Sequence, residues 1–118
     1  MLGYRRSPYR ALEKVLGYRF RREEHLRAAL THRSYRFENE GVAEDNQRLE
    51  FLGDAVLGLV ATDYLYERFG EAPEGQMTSL RAQMTSGKAL AEIALDSDLG
   101  QHLLVGKGEE QSGGRTRD

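Results

Sequence analysis

The sequence contains no cysteine. That excludes disulfides, thiol nucleophiles and cysteine-ligated zinc, and it fits a reducing, cytoplasmic setting. No apolar run approaches a membrane span, because the longest is interrupted by Glu50, Asp54 and Asp63. Basic residues near the N-terminus are not followed by an apolar stretch, so a secretory signal is not expected. Internal repeats and β-type alternation are also missing. Apolar residues are scarce at 39%, with a mean hydropathy of −0.65. At 118 residues the chain is expected to form one domain at most, with a lean core.

The net charge of −2 conceals an asymmetry. Residues 1–36 carry ten Arg/Lys against three Glu, a net +7. Residues 37–118 carry seven Arg/Lys against sixteen acidic residues, a net −9. A basic arm beside an acidic body could set positive charge along a phosphate backbone and negative charge around metal ions. Solvated helix faces are the plainer explanation.

Helical spacing dominates the chain. Residues 1–7 read as a lead-in without pattern, and Pro8 opens a helix through residue 16 that Gly17 ends. A second helix is expected over 22–30, with Leu26, Ala29 and Leu30 inward. His32 reads as a hydrogen-bonded structural histidine, and 37–44 as a polar loop. Asp45 or Asn46 suits the N-cap of a long central helix that ends near Phe69-Gly70. Further helices are expected over 76–85, with Met77, Leu80 and Met84 on one face, and over 88–97, with Leu90, Ile93, Ala94 and Leu95 inward. Leu103-Leu104-Val105 reads as one apolar helical turn, and 106–118 as a mobile glycine-rich tail. The expected fold class is all-α.

The central helix organises the rest. From Asn46 to Phe69 it is apolar on nearly every side, a pattern usually buried in a core. Glu50 and Asp54 nevertheless sit four residues apart in its first turns, on one face with Gln47. Two like charges there repel, and burial would add a desolvation penalty. A divalent cation bound by both would relieve this. An ion pair with Arg48 or Arg81 would do so equally well. Gly53 and Gly58 each cost the helix about 1 kcal/mol against alanine, which predicts backbone packed closely against a neighbour.

The run Arg48-Leu49-Glu50-Phe51-Leu52-Gly53-Asp54-Ala55-Val56-Leu57 resembles the signature helix of the ribonuclease III family. The match is contiguous and rich in unlike residue types. Leu16-Gly17-Tyr18-Arg19-Phe20 and Ala29-Leu30-Thr31-His32-Arg33-Ser34-Tyr35 resemble the family's opening helices. Glu74-Gly75-Gln76-Met77-Thr78 and Leu80-Arg81-Ala82 resemble its middle. Gly106-Lys107-Gly108-Glu109-Glu110, with Ser112-Gly113-Gly114, resembles the loop before its last helices. The resemblance covers almost all of the chain from residue 11.

It implies a helical endonuclease domain that hydrolyses double-stranded RNA with Mg²⁺, or alternatively Mn²⁺, leaving 5′-phosphate and 3′-hydroxyl ends, in processing such as rRNA maturation. It also implies a homodimer. On matching positions, Glu50 is a metal ligand, Asp54 an active-site carboxylate at the metal, and Glu74 an acidic residue shaping the site. Phe51 is the aromatic that enters the partner subunit. Gln47 stands at the RNA-binding groove where many members carry Glu. In the family the glycine-rich loop leads into a helix supplying a further Asp and Glu. This sequence ends at Arg117-Asp118 where that helix would begin, and Asp118 precedes the family's Asp position. The family's double-stranded-RNA-binding domain is likewise absent from the sequence. The resemblance thus implies a partial catalytic domain over 1–118. Each large side chain left wet on the central helix would cost about 1.5–3 kcal/mol, against a total of about 5–15 kcal/mol, so marginal or partner-dependent stability is expected. The alternative function is a non-catalytic RNA-binding or assembly module on the same fold. In a third, purely structural reading, the carboxylates are ion-paired core residues.

Overall fold

Leu12, Leu26 and Leu30 are at most 5% exposed and form the best-buried cluster of the molecule. In the computed structural model, which describes residues 7–112, these leucines come from the first two helices. Helix α1 spans Arg10–Leu16 and α2 spans Glu23–Leu30. Tyr9, Phe20, Leu99 and Leu103 close over the leucines. Gly17 ends α1 in the left-handed conformation, at φ 67°, as its lack of a Cβ allows. The chain then turns back, and the Glu13 carboxylate accepts the Phe20 amide at 2.7 Å. On α2 the buried alanine is Ala28, and Ala29 is exposed, a one-residue shift from the expected face.

A third helix, α3 (Arg33–Glu38), was not expected from the sequence. Its cap is His32, whose Nδ1 accepts the Ser34 amide at 3.1 Å and lies 2.7 Å from the Ser34 hydroxyl. The central helix is α4 (Gln47–Arg68), followed by α5 (Glu74–Met84) and α6 (Gly87–Asp96). Pro73, with extended backbone, precedes α5, so this helix begins two residues earlier than the spacing indicated. Ser86 caps α6 by accepting the Ala89 amide at 3.1 Å. A single 3₁₀ turn follows at Leu99–His102.

Residues 103–105 are extended, where a helical turn was expected. Leu104 donates to the Leu30 carbonyl at 2.8 Å and accepts from His32 at 2.9 Å, an isolated parallel bridge with Thr31. Gly106 is buried, and its amide donates to the Ser34 hydroxyl at 2.8 Å. The Lys107 amide then donates to Glu38, opening the short α7 (Lys107–Gln111). The start of the expected mobile tail is therefore ordered against α3. The rest of that tail, 113–118, and the first six residues of the expected lead-in lie outside the described residues. Among the described residues the fold is all-α, as the spacing predicted, and no helix is long and apolar enough to cross a membrane.

Helix α4 is largely open, in line with the wet apolar face expected of it, although so apolar a pattern is one usually buried in a core. Only Ala61 and Leu65 are buried on it, where its second half packs against α5. Phe51, Leu52, Val56, Leu59 and Val60 are all more than half exposed. The backbone at Gly53 and Gly58 has open space around it, so no close neighbour explains these glycines. Ile93 and Leu95 on α6, expected inward, are 60% and 73% exposed. The helices are splayed: the Cα radius of gyration is 17.0 Å, against about 13 Å for a compact chain of this size.

Gly106 and Gly58 should therefore respond oppositely to alanine. A Cβ at Gly106 would sit 2.8 Å from the Ser34 carbonyl oxygen and collide with the Glu38 carboxylate. Gly106→Ala is expected to lower stability by about 1–3 kcal/mol. Gly58→Ala should raise that of the isolated chain by about 0.5–1 kcal/mol. Urea titration of both variants measures the two signs.

Candidate active site on the central helix

The start of α4 is fixed by three contacts. The Asn46 amide donates to the Thr31 carbonyl at 2.9 Å, and the Asn46 side chain reaches the Ala29 carbonyl at 3.4 Å. Asn46 occupies the N-cap position, but the capping oxygen comes from Asp45, whose Oδ1 accepts the Gln47 amide at 3.1 Å. Both residues favoured for the cap are thus used, for different bonds. The Asp45 Oδ2 accepts from the Arg36 guanidinium at 3.2 Å, which joins α3 to α4. The Gln47 amide, followed by Arg36 and then Arg33, holds the Asp45 carboxyl below its ordinary value of 3.8, while partial burial opposes the shift.

The first α-helical bond of α4 runs from the Glu50 amide to the Asn46 carbonyl, at 2.8 Å. Glu50 and Asp54 follow one turn apart, about 6 Å along the axis. Both are exposed, as is Gln47. This corrects the expectation of a buried, mutually repelling pair. Neither carboxylate has an ion-pair partner among the described residues. Arg81, considered as such a partner, instead donates to the Thr62 hydroxyl at 2.9 Å. The ion-paired core reading of the carboxylates therefore fails.

Glu74 lies elsewhere. It lines a groove of about 160 Å³ between α4 and α5, with Thr62, Leu65, Tyr66, Met77, Thr78 and Arg81. Thr62, Leu65 and Tyr66 belong to the second half of α4, whereas Glu50 and Asp54 project from its first two turns. One protomer does not bring Glu74 to the carboxylate pair. Among the described residues no three His, Asp or Glu side chains converge on one cation position. Phe51, beside Glu50, is 85% exposed, which no core phenylalanine would be.

Two unpaired, solvent-facing carboxylates are a donor set that suits a hydrated Mg²⁺. That ion keeps several waters and commonly takes one or two carboxylates together with substrate phosphates. Glu50 and Asp54 are the residues that would hold it.

A family profile described as Ribonuclease-III-like matches residues 22–118. The chain belongs to the ribonuclease III family. It is 50% identical over 109 residues to Ribonuclease 3 of Oleidesulfovibrio alaskensis, covering 92% of this chain and 48% of that protein. It is 46% identical over 111 residues to Ribonuclease 3 of Magnetococcus marinus, covering 90% of this chain and 45% of that protein. The chain thus spans about half the length of these relatives. Among solved structures it is similar to the nuclease domain of ribonuclease III from Campylobacter jejuni, described for flexibility in a region involved in dimer formation. There the TM-score is 0.84 at 39% identity, covering 92% of this chain and 73% of that one. The long helix with its Glu50 and Asp54 is therefore placed in a ribonuclease III nuclease fold.

The Arg36–Asp45 pair and the α3 cap escaped the sequence reading. For the cap, the signal was His32 two residues before Ser34, a spacing that lets a side chain accept a first-turn amide. No comparable spacing links Arg36 to Asp45 across an irregular loop.

Asp45 should leave a mark on acid stability. Its folded pKa is lowered, so its ionised form contributes stability above about pH 3.8, lost as the pH falls through the lower folded value. Asp45→Asn is expected to flatten that part of the acid limb, because it lacks the carboxylate's contribution at neutral pH and converges with the wild type at low pH. Thermal melts between pH 2.5 and 7 measure this.

Proposed function

We propose that this chain is the metal-binding portion of an endoribonuclease that hydrolyses double-stranded RNA. The observation that carries the reading is the Glu50 and Asp54 pair: exposed, unpaired, one turn apart, on the helix that bears the family's signature. Mg²⁺, or alternatively Mn²⁺, when bound supplies an acidified water and charge stabilisation at the phosphoryl oxygens. Glu50 and Asp54 hold and orient that centre, and Gln47 borders it on the approach of the RNA. The products carry 5′-phosphate and 3′-hydroxyl ends, the setting is cytoplasmic, and structured RNA such as rRNA precursors is the substrate. The Arg-rich residues 1–36, net +7, favour a phosphate backbone as partner.

The active form in this reading is a homodimer. Phe51 at 85% exposure, with the apolar flank of Leu52, Val56 and Leu59, supplies the contact. The accessible surface of 9755 Å² is well above the about 6,500 Å² of a folded monomer of this mass. That excess leaves room for a partner burying about 800 Å² per subunit. Glu74 is the acidic residue that helps shape the site in this reading, although within one protomer it lines the groove between α4 and α5.

A non-catalytic RNA-binding or assembly module is the second reading. It is supported by the absence of a third converging carboxylate among the described residues.

With the protein made from its own gene at native length, Mg²⁺-dependent cleavage of duplex RNA is expected. Asp54→Asn and Glu50→Gln should each slow it by at least about a hundredfold, roughly 2.7 kcal/mol of transition-state stabilisation, with duplex affinity retained. Salt-dependent binding without cleavage would select the second reading. Phe51→Ala should shift sedimentation from dimer to monomer. An unchanged dimer would remove Phe51 from the contact.

A further inference from the structure

We propose that Asp45, clamped by Arg36, is a positioning residue for Glu50; the inference rests on the reading that Glu50 and Asp54 hold a divalent cation. The Asp45 carboxylate is divided between two tasks. One oxygen accepts the first amide of α4, from Gln47 at 3.1 Å, and the other is held by Arg36 at 3.2 Å. The Asp45 side chain is only 9% exposed, against 50% for Arg36, so the acid is the fixed end of the pair. A good cap of this kind matters most to the first turn, where four amides have no partner within the helix.

Here that turn carries one of the two metal-binding carboxylates. The Glu50 amide makes the first intrahelical bond, to the Asn46 carbonyl at 2.8 Å. Fraying that begins at Gln47 therefore reaches Glu50 at once. Asp54 lies a full turn further in and stays in place. The cap that Asp45 Oδ1 supplies thus fixes the spacing between Glu50 and Asp54, and it does so without touching the cation. Asp45 thereby ties the α2–α3 junction to the geometry of the site.

The test is Mn²⁺ affinity at pH 7, followed by electron paramagnetic resonance on the native-length protein. Asp45→Ala should weaken Mn²⁺ binding about tenfold, the scale seen when a residue orienting a metal ligand is removed. Asp45→Asn, whose amide oxygen caps about as well, should restore affinity to within about twofold. Ser86→Ala, which removes the α6 cap and lowers stability away from the start of α4, should bind as the wild type does. Glu50→Gln serves as the reference and should lose binding.

Asp45→Ala binding normally while Glu50→Gln fails would overturn the positioning role and leave the metal reading standing. Asp45→Asn as weak as Asp45→Ala would overturn it too, because charge and not position would then be responsible. Equal loss in Ser86→Ala would reduce the effect to general stability and likewise remove the proposal. Mn²⁺ binding that does not depend on Glu50 would sink the metal reading, and this inference with it.

Discussion

The junction at Thr31 is the interaction on which the arrangement depends. Thr31 is 1% exposed, and every polar group it owns is committed. Its amide donates to the Ala28 carbonyl at 3.1 Å and its hydroxyl to the Arg27 carbonyl at 2.6 Å, which closes α2. Its carbonyl accepts the Asn46 amide that begins α4. The neighbouring Leu30 carbonyl and His32 amide take the Leu104 segment. Three stretches of chain distant in sequence thus meet on three residues. A buried backbone group left without a partner costs about 1–3 kcal/mol, so displacing any one of these stretches disturbs the others.

Seen from that junction, α4 is a cantilever. Its first turn is held by Thr31, Asp45 and Arg36, and its second half rests on α5 through Ala61, Leu65 and the Arg81–Thr62 bond. Between these supports one side of the helix carries two free carboxylates, and Phe51, Leu52, Val56 and Leu59 stand exposed. A helix so apolar would ordinarily be interior. The core instead forms between α1, α2 and the segment from Leu99 to Leu103. Exposed carboxylates and exposed apolar side chains thus share one helix. The second anchor of the junction, Gly106 on Ser34 and Lys107 on Glu38, keeps residues 106–112 close to α3.

Much of this was legible in the sequence because it is local. Helical periodicity gave α1, α2, α4, α5 and α6 within a few residues, since the spacing of apolar side chains follows from the helix repeat itself. Gly17 and Ser86 marked ends and starts through their own backbone and hydroxyl chemistry. The ten-residue run from Arg48 to Leu57 identified the family and nominated Glu50 and Asp54, because both carboxylates lie on one short, continuous element. What failed was anything that needed a partner remote in sequence. The burial of the Glu50 and Asp54 face and the order of residues 107–111 were misjudged, and the groove that Glu74 lines was not foreseen, because periodicity says which residues share a face and never what covers it.

The sequence by itself determined an all-α chain, the two carboxylates one turn apart and the membership of the ribonuclease III family. These follow from the helix repeat and from a contiguous motif, neither of which depends on long-range contacts. Only the tertiary structure decided that the pair is solvent-facing and unpaired, that Arg81 belongs to Thr62, that Glu74 lines a separate groove, and that Asp45 joins Arg36 to the start of α4. The physical reason is the same in each case. Ion pairs, burial and caps made across a loop are set by which segments the Thr31 junction brings together, and local spacing carries no record of that.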